Sequence, residues 1–128
     1  MTLAALQEIR DEEAAHFAML SDAIEKLGGD PTTQTPWADA TGVQSMGLFQ
    51  VMSDPRTTVA QALQTLLSAE LIDVASWELL IQLIEGFGQD ELAERFAAAL
   101  AAENRHEATV RGWLATALEE SAHLGGSE

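Results

Sequence analysis

The sequence predicts an all-α protein, a helical bundle of three long helices with one long crossover between the first and second. Three observations carry this reading. Alanine and leucine dominate a 128-residue chain with only three prolines, which favours helices over strands. Apolar residues recur at three- and four-residue spacing over three long stretches. The gaps in those stripes hold glutamates and histidines, as if each helix turned charge toward one shared interior.

The first helix spans about 2–27. Its stripe is Leu3, Leu6, Ile9, Phe17, Leu20, Ile24 and Leu27, and Gly28-Gly29 ends it. The second spans about 56–86, opened by Ser53-Asp54-Pro55 and closed by Gly86 and Gly88. Its stripe is Val59, Leu63, Leu66, Val74, Trp77, Ile81 and Ile84. The third spans about 90–121, with Asp90, Glu91 and Glu94 suited to the positive end of the helix dipole. Residues 28–55 form the crossover, too long for a hairpin turn, with a short helical piece expected at Val43 to Met52. The short link near Gly88 makes the last two helices antiparallel, and the crossover makes the first two parallel. All of this fits a single domain, 1–128.

Composition excludes several functions. There are no cysteines, so disulfides, iron–sulfur clusters, thiolate zinc sites and catalytic thiols are absent. A net charge of −15 repels nucleic acid and anionic lipid and attracts cations. The N-terminus does not resemble a signal peptide, and no apolar run reaches the ~20 residues of a membrane span. The expected location is cytoplasmic.

The interruptions of the stripes carry the chemistry. Ile9 is followed by Glu13, His16 and Leu20. Glu70 sits between Leu66 and Val74. Glu103 and His106 sit between Leu100 and Val110. A carboxylate in a bundle core is costly unless paired or bound to a cation. Depth suggests a common explanation. Glu70 lies about 17 residues before the tight turn, and Glu103 and His106 about 16 and 19 after it, so at ~1.5 Å per residue they share a height. A parallel first helix brings Glu13 and His16 to the same layer. Glu-x-x-His places oxygen and nitrogen donors on one helix face, a set that suits first-row transition ions. The expected metal residues are Glu13, His16, Glu70, Glu103 and His106.

Other matches are weaker. Glu120-x-x-His123 fits the same spacing but lies in a polar tail with no carboxylate opposite. Asp73 is expected in solvent or behind the ligands, Glu12 and Glu107 are expected to point outward, and Arg105 and Arg111 to face solvent. Trp77 and Trp113 read as core anchors. Met46, Phe49 and Met52 read as a plug at one end of the bundle, and Trp37 as packing onto a helix or a partner chain.

These residues together resemble bacterial ferritin-like domain proteins. The resemblance rests on Glu13-x-x-His16, "GGDPTTQTP", "SDPRTT", "AELIDVASWELLIQLIE" and Glu103-x-x-His106 before "VRGWL". It runs from about Leu3 to Leu118 and matches the second, third and fourth helices of a ferritin-like four-helix bundle. It implies a non-haem di-iron or di-manganese carboxylate site, two iron ions with manganese as the alternative. In it Glu13 and Glu103 are the motif glutamates, His16 and His106 the terminal imidazoles, and Glu70 the lone helix carboxylate. The usual first helix, which supplies a further glutamate, has no room in the 12 residues before Glu13. The absence of tyrosine excludes a tyrosyl radical. The expected function is metal binding, with oxidation of Fe(II) or reduction of peroxide as the associated activity. The alternative is a non-catalytic interaction or oligomerisation module with a structural or vestigial metal site. The open side of a three-helix bundle predicts a homo-oligomer, most simply a homodimer, with the first helix near the contact and a partner glutamate or water completing the site.

Overall fold

The computed structural model describes residues 1–125, and those residues form four helices. Helix α1 (Leu3–Lys26) starts where the Thr2 hydroxyl accepts the Ala5 N–H, at 3.1 Å. It ends at Gly28, whose φ of +87° is open to glycine, while the Gly29 N–H bonds back to the Ile24 carbonyl at 2.9 Å.

Helix α2 (Pro36–Ser53) occupies most of the crossover. It is longer than the piece expected at Val43 to Met52. The Thr35 hydroxyl accepts the Ala38 N–H and Pro36 takes the first turn, a start signal hidden among loop-forming residues. Helix α3 (Val59–Gly86) begins with a capping box in which Thr58 and Gln61 satisfy each other's backbone N–H. The Ser53-Asp54-Pro55 signal therefore closes α2 and makes a turn, in which Asp54 accepts the Arg56 N–H at 2.9 Å. Gly88, with φ +73°, turns the chain into α4 (Asp90–Gly125), which runs past the expected end near 121.

Helix α4 is the central member. It packs along α3 as an antiparallel hairpin and against α1 on another side, while α2 packs on α3. From Glu13 to Ala23 and from Glu70 to Trp77 the chain descends from the same layer to the same core, so α1 and α3 run parallel, as the crossover implied. The core contains Ala23, Trp77, Phe96 and Ala99, with Leu20, Ile81 and Ile84 around it. Trp77 meets Phe96 edge-on at 5.3 Å, the anchor its spacing suggested. Trp113 is half-buried and lies outside this cluster. Met46, Phe49 and Met52 do not plug the bundle end; they are exposed, because α2 lies on the outside of α3. No described helix is long and apolar enough to cross a membrane.

Candidate metal centre

Above the apolar core the three packed helices turn charge inward. One oxygen each of Glu13, Glu70 and Glu103 and one nitrogen of His106 all lie within 4.8 Å of one another. Glu70 is 2 % exposed, Glu103 0 % and His106 4 %. His106 Nδ1 faces the carboxylates, 3.0 Å from Glu13 Oε1, 3.5 Å from Glu103 Oε2 and 3.7 Å from Glu70 Oε2. His16 joins through Glu103: its Nδ1 is 2.8 Å from Glu103 Oε1, and its ring meets Trp77 edge-on at 5.8 Å. The two imidazoles stack at 6.5 Å. Four of the five residues singled out in the sequence thus form one tight group, and the fifth touches it.

The electrostatics of this group are unfavourable by themselves. Glu70 Oε2 and Glu103 Oε2 are buried without a hydrogen-bond partner. Burial, then the neighbouring Glu103 carboxylate, pushes Glu13 up to about 7 and Glu70 up to about 8. Asp73, half-buried beside them, is raised to about 6 by burial and the Glu103 charge. No ion pair within the described residues brings Lys or Arg to Glu13, Glu70 or Glu103; Arg105 reaches only Glu12, at 3.6 Å. A divalent cation at this point would neutralise the crowded charge and occupy the unpaired oxygens. The donors, carboxylate oxygens with imidazole nitrogen, match first-row transition ions.

One residue behaves differently from the sequence reading. Glu12 does not point outward: its Oε2 is 2.8 Å from His106 Nε2. Its signal was the spacing 12, 16, 19, 23, which continues the α1 face that meets α4 down to Ala23. Of the two positions expected for Asp73, the half-buried one beside the carboxylates is the one it takes. Glu107 pairs with Arg111 one turn on, and the Glu120 and His123 pair is exposed on the α4 tail.

Helices that turn carboxylates and imidazoles toward one interior layer define a helical bundle whose buried donors could hold a metal ion. The sequence profile of the ferritin-like domain matches residues 4–118, and the chain belongs to that family. Neither the curated proteins nor the solved structures contain a significant match.

Proposed function

We propose that the chain is a single-domain metal-binding protein with a non-haem di-iron or di-manganese carboxylate site, held by Glu13, His16, Glu70, Glu103 and His106. The observation that carries this reading is the convergence of four donor atoms around two buried, unpartnered carboxylate oxygens. Glu70 and Glu103 supply the most enclosed oxygens. Glu13 supplies one nearer solvent. His106 presents Nδ1, and an N–H at Nε2 donating to Glu12 fixes that orientation. His16 contributes its ring at the Trp77 side and steadies Glu103. When bound, such ions supply redox chemistry at open coordination positions, here the oxidation of Fe(II) or the reduction of peroxide. Asp73, with Glu13 and Glu70, can accept protons near neutral pH, so the site can exchange protons for cations. A cytoplasmic homo-oligomer is part of this reading.

The test is a titration of metal-stripped protein with Fe(II), Mn(II) or Zn(II), beside the Glu70→Ala variant. The parent binds with defined stoichiometry and the variant binds at least 10-fold more weakly. Equal stoichiometry and affinity in both would sink the proposal. Turnover of Fe(II) with oxygen or peroxide then separates catalysis from binding alone.

A further inference from the structure

Helix α2 is the least covered element of the protein. None of its 18 residues is buried, and its one charged residue is Asp39. An apolar, nearly chargeless helix needs cover on more than one side. Its C-terminal third finds some: Gly47, Leu48 and Val51 face Gln61, Gln64 and Ser68 of α3 across a cleft. Outside that contact, Trp37 is 85 % exposed and Phe49 73 %, and Val43 and Met46 are exposed with them.

Helix α3 continues the same surface. Ile72, Leu79 and Leu83 are exposed, with the small residues Ala75 and Ser76 between them. At about 100° per residue this stripe lies roughly half a turn from Leu63, Glu70 and Trp77, which face the interior. It is therefore the outer side of α3, distinct from the metal layer, and it carries no charge. Helix α3 is largely apolar on both faces: the inner one packs on α4, and the outer one meets α2 only near Gln61, Gln64 and Ser68.

The charge distribution says what fits there. Acidic residues crowd α1 and α4, including Glu8, Asp11 and Glu25 on α1 and Asp90, Glu91 and Glu94 on α4. Between residues 31 and 69 the only charges are Asp39, Asp54 and Arg56. Two copies of a chain with net charge −15 repel through α1 or α4 but meet without that penalty through α2 and the outer side of α3. The area is sufficient. Trp37 and Phe49, at about 150–250 Å² each when fully covered, together with exposed Val43, Met46, Ile72, Leu79 and Leu83, offer on the order of 800–1,000 Å² per copy. A stable dimer buries about 800 Å² per partner, and monomers seldom leave a patch above ~600 Å² uncovered.

We propose that this neutral face is a two-fold interface between copies of the chain, in which α2 of each copy lies along the Ile72–Leu83 stripe of the other's α3. Each copy then offers both an apolar helix and an apolar stripe, the self-complementary arrangement a closed two-fold needs. The contact lies on the opposite side of α3 from the carboxylates, away from the α1 edge that the sequence pattern favoured. It does not depend on the metal reading.

Sedimentation of the parent and of Phe49→Glu, Leu79→Glu and Phe17→Glu at low micromolar concentration tests it, with helical content followed by circular dichroism. All three positions are exposed in the single chain, so a glutamate there leaves its packing intact. The expected result is a two-chain mass for the parent and for Phe17→Glu. Phe49→Glu and Leu79→Glu dissociate at least 100-fold more readily with helical content unchanged. A monomeric parent would mean that α2 closes on its own α3 and would overturn the proposal. So would a dimer that survives both α2/α3 changes or is lost in Phe17→Glu. Loss of helix in Phe49→Glu or Leu79→Glu would overturn its premise that these side chains lie outside the single-chain core.

Discussion

Glu70 concentrates the tension of the molecule: a carboxyl 2 % exposed, one oxygen unpartnered, and Glu13 and Glu103 beside it. Its folded-state value of about 8 and that of Glu13, about 7, lie above the ordinary 4.5. Raised carboxyl values mean that the fold keeps protons which the unfolded chain releases. The stability they contribute is therefore full below about pH 4.5 and is lost as pH rises through 7 and 8. Thermal melts of metal-free protein at pH 5, 6.5 and 8 should show a falling melting temperature, and Glu70→Gln should flatten that fall. A parent slope that is flat or rising over this range would contradict the assignment. The same residues make cation uptake a proton release, so affinity for metal should increase over the interval in which the metal-free fold weakens. Glu12 acts one bond further out. Glu12→Ala frees His106 Nε2 and should lower metal affinity about 10–100-fold without changing stoichiometry, measured by competition with a chelator.

At the scale of the helices, the hairpin of α3 and α4 sets the height of the site. Gly88 makes that turn with φ +73°, where a Cβ is strained, whereas Gly86 belongs to the last turn of α3 with open space around it. Gly88→Ala should destabilise by about 1 kcal/mol, and Gly86→Ala should be neutral or stabilise by up to about 1 kcal/mol, in urea titrations. Equal effects at both positions would show that the left-handed turn does not matter. Trp77 joins the core to the site, since it meets both Phe96 and His16. Trp77→Ala should cost about 3–5 kcal/mol by the same measurement. Much of this layout was legible in the sequence. Equal distances from Gly88 put Glu70, Glu103 and His106 at one height, and holes in three apolar stripes marked the residues that turn inward. Two features were not legible. Thr35-Pro36 and Gly42 read as loop ahead of a short helical piece at Val43 to Met52, yet a capped start produces an 18-residue helix there. The partner of His106 looked like an outward neighbour of Glu13. The angle at which α1 crosses α4 decides whether Glu12 reaches His106, and spacing along one helix does not contain that angle.

For the whole molecule, a layer of like charge divides an otherwise apolar bundle, and the fold is expected to depend on what neutralises it. Chelation of loaded protein should lower its melting temperature, because cations bound only by the folded chain stabilise it. Replacing Glu70 and Glu103 together by leucine should raise the stability of the metal-free form, since apolar side chains would fill the space of buried, unpaired carboxyls. If that double variant is instead less stable than the metal-free parent, the carboxylates are better satisfied within the fold than their geometry indicates. The outer side of the molecule follows a separate rule: under the proposed interface, acidic α1 and α4 would keep chains apart, while α2 and the uncharged outer stripe of α3 would let them meet. If the inner layer binds metal, protein purified without added metal should already carry it, which metal analysis measures. The expected result is at least one iron or manganese ion per chain, removed by chelator and restored by adding Fe(II) or Mn(II). Protein that emerges metal-free and takes up neither ion on addition would show that the layer is not a metal site.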